Sequence, residues 1–325
     1  MYAEYFKFNA MPFQLTPDSQ FFFESREHHR AVSHLVYGLA QEEGFVVITG
    51  EIGAGKTMLV EHLWSQLDHQ KFVAVRILTT HISGDDMLKI IANGFGLPTD
   101  VTDKATLLGR LERHFADQQA MGRRCLLVID EVQNLPRPSL EELRMLSNIT
   151  VSGRSPFQGL LLGQPQFRQS LADPELEQLR QRILATYHLG PLSQEETRDY
   201  VEHRLLKAGW SGDPSFDEAA FGSIYRHSGG IPRKINTLCS RVLLGAYLDE
   251  AHHIGETRVE DADEEWQQDL SSGYRPAPTL PGKSDTTDRA LEPRLAAIEA
   301  TLERHDRTIK RALRIAAQLL DGPIE

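Results

Sequence analysis

The sequence predicts an α/β protein: a mostly parallel sheet covered by helices on both faces, followed by a smaller helical unit. Three observations carry this. Short, continuously apolar runs alternate with helical patterns between residues 45 and 189. The first run, FVVIT (45–49), leads through GEIGAGKT (50–57) straight into a helical pattern. From Ser193 onward the strand-like runs cease and helical patterns continue alone. Strands buried on both faces read as unbroken apolar runs, and their parallel pairing needs helices as crossovers.

Taken in order, residues 1–40 form a turn-rich lead, MPFQLTPDSQFFF among them, and then a helix from Arg26 to Leu39. The α/β unit spans 41–190, with strands at 45–49, 71–79, 125–130, 157–163 and 185–189 and helices between them. A helical lid spans 191–270. Its first two helices are announced by SQEE (193–196) and SFDE (215–218), each matching the Ser-x-x-Glu capping box. A third opens at Pro232 and a fourth runs from Arg258 to about Leu270. The Pro/Gly/Ser/Thr-rich stretch 271–289 reads as a flexible linker. Over 290–321, Leu291, Leu295, Ile298, Leu302, His305, Ile309, Ala312, Ala316 and Leu319 recur at spacings of four and three, a heptad seam. That helix has three readings: packing on its own lid, self-association, or capture of a partner helix.

Composition narrows the function classes. At 325 residues and 40% hydrophobic content the chain has room for two cores, and no run reaches the ~18 apolar residues of a membrane span. The first residues carry no basic-then-apolar signal pattern, and the two cysteines, Cys125 and Cys239, sit in apolar segments as reduced core thiols. Together these point to the cytoplasm. The net charge is −11; residues 1–270 hold 26 Lys/Arg against 38 Asp/Glu, a balance of −12. Binding to nucleic acid draws on excess positive charge that displaces counterions, so extensive nucleic-acid binding is not expected.

The chemistry concentrates at 50–57. Gly50, Glu51, Ile52, Gly53, Ala54, Gly55, Lys56 and Thr57 match G-x-x-x-x-G-K-[ST], the phosphate-binding loop, and Met58 continues into the helix. Glycines allow a tight turn whose amides converge on phosphate, and the following helix points its positive end there. Lys56 is expected to bridge the outer phosphates of ATP and the Thr57 hydroxyl to ligate Mg2+. LLVIDE (126–131) ends a strand in two acids: Asp130 for the magnesium shell, Glu131 for the attacking water. Such an Asp-Glu pair argues for hydrolysis. Gln164, ending the strand LLLG, is placed to read the γ-phosphate. Arg180 and Arg182 lie between a helix and a strand, where one of them could complete a neighbouring subunit's site. Arg233, fixed by Gly229, Gly230 and Pro232, points from the lid towards phosphate.

In their order, PFQLTPDSQFFF, GEIGAGKT, LLVIDEVQNL, LLLGQPQF, RILATYHLGPLS and SGGIPRKIN resemble the AAA+ ATPases of the general secretion pathway protein A type, over residues 1 to about 265. Within that group the sequence is most similar to the ATPases that accompany exosortase and PEP-CTERM loci and exopolysaccharide export genes. The resemblance implies a P-loop NTPase (AAA+) fold. It gives Lys56, Thr57, Asp130, Glu131, Gln164 and Arg233 the Walker A, Walker B, sensor 1 and sensor 2 roles, and Arg182 that of the arginine finger. It also implies a nucleotide-dependent oligomer and an envelope or secretion partner through which a cytoplasmic protein would lie peripherally at the inner membrane. Long secretion-type members continue into a membrane span and a peptidoglycan-binding domain; past residue 270 this sequence runs into linker and heptads, so direct cell-wall binding is not expected. Where the family often shows DEAQ, Val132 stands here, a change expected to be neutral.

Two further features stay open or quiet. FFF (21–23) with His28 and His29 either lines the adenine pocket or straps the lead onto the core. The histidine pairs 28–29 and 252–253 are placed on helix surfaces or ends, and no metal site beyond Mg2+ is expected. Against the leading reading, an ATP-hydrolysing switch or motor, stand a DNA-associated AAA+ regulator and a non-hydrolysing nucleotide-dependent scaffold. The acidic body disfavours the former and Glu131 the latter.

Overall fold

A computed structural model of the chain describes residues 2–272 except 17, 42, 79–81, 101–102, 152 and 154, and only the backbone of 85 and 270–272. The expected linker beyond 272 and the heptad helix at 290–321 lie outside the described residues.

The elements follow in the order α1 (Tyr2–Tyr5), α2 (Arg26–Ala40), β1 (Phe45–Gly50), α3 (Lys56–Gln66), β2 (Phe72–Leu78), α4 (Gly84–Gly94), α5 (Lys104–Ala120), β3 (Arg124–Asp130), α6 (Arg137–Leu146), β4 (Phe157–Gly163), α7 (Pro165–Leu171), α8 (Glu177–Arg180), β5 (Ile183–Leu189), α9 (Gln194–Lys207), β6 (Ser215–Phe216), α10 (Glu218–Ser228), α11 (Pro232–Leu248), β7 (His253–Ile254) and α12 (Glu256–Ser272). The five long strands form one sheet in the order β2-β3-β4-β1-β5, every neighbouring pair parallel.

The period of two in each strand divides two cores between the sheet's faces. Phe45 and Val47 of β1 and Cys125, Leu127 and Ile129 of β3 join Met87, Ile91, Leu111 and Phe115 of α4 and α5. Val46, Ile48, Leu126 and Val128 turn the other way, onto Leu35 of α2 and Leu59 and Leu63 of α3. Both cysteines are buried, and burial pushes the Cys125 thiol up to about 12, so neither is a nucleophile at neutral pH.

The third core is the lid, and the lead segment is part of it. Tyr2, Phe6, Phe8, Phe13 and Phe21 pack with Val201, Leu205, Ile224, Leu238 and Val242. The strap reading of the aromatic lead is therefore the one observed, with the lid as its main anchor. Arg204 fastens it: this buried guanidinium donates to the Pro12 carbonyl at 2.5 Å and the Tyr200 hydroxyl at 2.9 Å, and lies 4.9 Å from the Phe21 ring centroid.

Two lid expectations need correcting. The capping box at Ser193 and Glu196 forms as expected, but SFDE does not. Ser215 and Phe216 are instead extended and pair with His253 and Ile254 in a two-stranded parallel sheet, so the lid is not purely helical. Helix α10 starts two residues later, where the Asp217 side chain accepts from the Ala220 amide at 2.6 Å. The pairing wins because it puts Phe216 against Phe221, stacked at 5.6 Å, and anchors the chain before the helix begins. In addition, α12 continues through Ser272, past the expected start of the linker.

Candidate functional site

Residues that follow β1, β3 and β4 meet because those strands are neighbours in register: Thr49 lies opposite Gly163, and Ile129 opposite Leu161. The chain leaves β1 and crosses β4 and β3 to reach β2, while β5 lies on the other side of β1. This is the switch point at which open parallel sheets bind ligands beyond the strands' carboxyl ends.

The loop after β1 needs its glycines. Gly53 has φ 83° and Gly55 φ 101°, both in the left-handed region that side chains disfavour. A Cβ on Gly53 would lie 2.3 Å from Cβ of Arg233, and one on Gly55 2.7 Å from Nε2 of His28. The loop thus lies in direct contact with both the lid and α2. Gly55 caps α3, whose first amides open into the loop. Ala54 is buried under the turn, while Glu51 and Ile52 are exposed on its rim. Lys56 is buried and its ammonium donates to the carbonyls of Gly50 at 2.8 Å and Glu51 at 3.0 Å, holding the loop curled. Burial lowers the Lys56 pKa from its ordinary value, and the carboxylates of Glu131, Asp130 and Glu51 oppose that.

At the end of β3, buried Asp130 accepts the Thr57 hydroxyl at 3.2 Å and a guanidinium N–H of Arg76 at 3.3 Å, both on Oδ2. Glu131 follows with φ 54° and ψ 39°, a left-handed turn that lifts its carboxylate off the strand line. Its own amide donates to Asp130 Oδ1 at 3.0 Å. Two side-chain amides then converge on one oxygen: Gln133 Nε2 at 2.5 Å and Gln164 Nε2 at 3.0 Å both donate to Glu131 Oε2. The Gln164 backbone N–H closes the network on Gln133 Oε1 at 2.9 Å. The structure thus brings Lys56, Thr57, Asp130, Glu131 and Gln164 together, and adds Gln133 and Arg76, which the sequence reading did not single out.

Across from the loop, Arg233 stands in the first turn of α11 with its amide donating to the Gly53 carbonyl at 3.2 Å. Gly229 (φ 60°) ends α10 and Gly230 (φ 71°) passes so close to Leu192 that a Cβ would lie 2.1 Å from its carbonyl oxygen. That turn sets the start of α11 on the phosphate loop. Between lid and loop is a cavity of about 390 Å³ lined by Ile52, Gly53, Gly55, Lys56, Thr57, Met58, Glu131, Arg233 and Asn236, with Gln14, Leu15, Thr16 and Asp18 of the lead as a further wall. Phe21, Phe22 and Phe23 are not among its lining residues. Phe22 stacks on His62 at 4.3 Å and Phe23 packs edge-on to Tyr200 at 5.7 Å, so the adenine-lining reading of this triplet is overturned. His28 lies at a helix end, in the first turn of α2, but is buried: it is bonded through Nδ1 to Ser25 Oγ at 2.7 Å, and burial pulls its pKa down to about 4. It is neutral at pH 7 and offers the site no charge.

Arg180 and Arg182 lie elsewhere. Arg180 is ion-paired with Glu177 in α8, and Arg182 donates to Asn148 Oδ1 at 2.6 Å. Arg182 directly precedes Ile183, the partner of Phe45, whereas the loop end Gly50 pairs with Leu189. The length of β1, about 17 Å at ~3.3 Å per residue, separates Arg182 from its own phosphate loop. Arg182 therefore stands at the end of the sheet away from the phosphate loop of its own chain.

The contact between loop and lid makes a test. Gly53→Ala is expected to weaken nucleotide binding roughly tenfold or more, from about 1–2 kcal/mol of left-handed strain and the clash with Arg233. Equilibrium titration with a fluorescent ATP analogue would measure it, and unchanged affinity would mean that the lid need not touch the loop.

Comparison with known proteins agrees with this geometry. Residues 39–171 match a family model described as an AAA domain. The chain is 39% identical over 255 residues to general secretion pathway protein A of Aeromonas hydrophila, which covers 78% of this chain and 46% of that protein. The chain therefore spans about half the length of this curated relative. Among solved structures, the ORC2 protein of Aeropyrum pernix in its ADPNP–ADP complexes superposes with a TM-score of 0.59 at 16% identity, covering 79% of this chain and 71% of that one. The RuvB Holliday junction branch migration motor of Thermotoga maritima superposes with 0.51 at 18% identity, covering 78% and 73%. At such identities the two structures show the shared AAA+ P-loop fold alone.

Proposed function

We propose that the chain, which carries an AAA domain and is related to general secretion pathway protein A, binds ATP between phosphate loop and lid, hydrolyses it, and acts as a switch or motor for a cell-envelope export system. The observation that carries the hydrolytic part is the hydrogen-bonded chain Thr57–Asp130–Glu131–Gln164 at the rim of the cavity. In this reading the loop amides and Lys56 hold the phosphates, and Arg233 approaches them from the lid. Thr57 and Asp130 fit a hard divalent cation, since a hydroxyl and a carboxylate oxygen stand 3.2 Å apart with no soft donor in the set. Bound there, Mg2+ would neutralise the phosphate charge and orient the terminal group. Gln164 trades its bond to Glu131 for the γ-phosphate, and Glu131, so released, takes the proton of the attacking water.

Arg182 serves a second copy of the chain, so activity depends on assembly. The exported material is assigned by resemblance to an exosortase-associated exopolysaccharide pathway, with the segment beyond residue 272 as the docking or assembly element. Among the described residues no helix is long and apolar enough to cross a membrane. The proposed contact with the inner membrane is a peripheral one made through an envelope partner.

Phosphate release measured over a range of protein concentrations, with and without duplex DNA, tests this reading. Specific activity is expected to climb with concentration and to ignore DNA. Arg182→Ala is expected to flatten the climb and lower turnover by about 10³ or more, the scale of an arginine supplied in trans. Strong stimulation by DNA would replace the export assignment with a nucleic-acid regulator.

A further inference from the structure

Strand β2 reads FVAVRIL, and the one charge within it, Arg76, is half-buried between two acids. It lies opposite Val128 in the register, two residues before Asp130 on the neighbouring strand. From there Nη2 reaches Asp130 Oδ2 at 3.3 Å, and Nη1 reaches Glu61 Oε1 at 3.5 Å. Glu61 is on α3, one turn beyond Thr57 and on the same helix face. The third guanidinium nitrogen, Nε, is buried with no hydrogen-bond partner among the described residues, so the two carboxylates alone receive this cation. The Asp130 oxygen that takes Arg76 is the one that also takes the Thr57 hydroxyl.

We propose that Arg76 is an internal counter-ion that competes with the divalent metal for Asp130, with Glu61 as its alternative partner. This rests on the metal reading of Thr57 and Asp130 given above. A buried carboxylate is costly without compensating cations, and while no metal is bound Arg76 contributes directly to that compensation, beside the nearby Lys56 ammonium. Once a divalent cation takes up Asp130, a guanidinium against the same oxygen becomes a like charge a few ångströms from the metal, and the repulsion favours its swing onto Glu61. Arg76 bonds to Asp130 and Glu61 and is not among the residues lining the cavity, so it is a positioning residue. It sets the metal concentration at which the site closes.

The two partners of Arg76 give opposite predictions. Binding of a fluorescent ADP analogue to the full chain is titrated with Mg2+ and compared with binding in EDTA. Arg76→Gln removes the competitor, so the half-saturating Mg2+ concentration is expected to fall about tenfold, within the usual range of a coupling between sites. Glu61→Gln removes the alternative partner and holds Arg76 on Asp130, so the same quantity is expected to rise. Metal-free nucleotide affinity is expected to stay unchanged in both, and Arg76→Lys to remain near the wild type. A rise for Arg76→Gln would mean that Arg76 merely orients Asp130, and would overturn the proposal. So would no change in either variant, or a lack of folding for Arg76→Gln combined with an unshifted Glu61→Gln. If the unsubstituted protein binds the nucleotide identically with Mg2+ and with EDTA, the metal site itself fails, a result distinct from failure of the competition.

Discussion

Glu131→Gln is expected to leave ATP bound and to cut steady-state turnover by about 10²–10⁴, the usual contribution of a general base. The substitution keeps the shape of the side chain. Its amide oxygen still accepts from Gln133 and Gln164, which now donate to the carboxylate at 2.5 Å and 3.0 Å. The backbone turn at φ 54° and its bond to Asp130 Oδ1 are untouched, so the metal oxygen and the loop keep their places. What is lost is the ability to take a proton. Affinity should therefore hold while kcat falls, and a nucleotide-bound assembly should accumulate, visible as retained radiolabelled ATP after rapid gel filtration. A parallel loss of affinity and turnover would make Glu131 a structural partner of Gln164. An undiminished rate would place the base elsewhere.

Much of this site was legible because its constraints are local. The phosphate loop follows from three glycines and a lysine between an apolar strand and a helix. The acid pair follows from a strand that ends in Asp130 and Glu131. The five strands were legible for the same reason: two buried faces leave a run of apolar residues with no alternation to misread.

What escaped depends on contacts remote in sequence. Gln133 matters because β4 delivers Gln164 beside it, which no spacing within 130–133 reveals. Arg76 left a signal that went unused, a lone charge inside an otherwise apolar strand, and a charge so placed must find a partner on the next strand or on a covering helix. The aromatic lead left two readings open because what it packs on, Arg204 and the surface of α9 and α11, comes some two hundred residues later in the chain. At SFDE two residues able to cap a helix compete, and pairing with His253 and Ile254 decides for Asp217.

The second large effect is at Lys56. Lys56→Ala is expected to lower nucleotide affinity by on the order of a hundredfold, about 3 kcal/mol, comparable with losing one partner of a desolvated charge pair. Two losses combine here. In the proposed reading the ammonium binds the phosphates, and it also closes the loop by donating to the Gly50 and Glu51 carbonyls at 2.8 Å and 3.0 Å. Without it those carbonyls lose the donor that holds the loop curled, and the amides meant to receive the phosphates lose their arrangement. Lys56→Arg separates the two losses, because a guanidinium keeps the charge but is too wide for the curl of the loop. If charge alone mattered, arginine would restore binding; if curvature matters too, arginine and alanine should be similarly weak. The pH response gives an independent check. Burial holds the Lys56 pKa below its ordinary 10.5, so the unliganded protein loses this charge earlier on alkaline titration than a free lysine would. Nucleotide affinity of the unsubstituted chain should fall as pH rises through that lowered value. The alanine variant, with no ammonium to lose, should show no such fall, and an identical alkaline limb in both would assign the titration to another group.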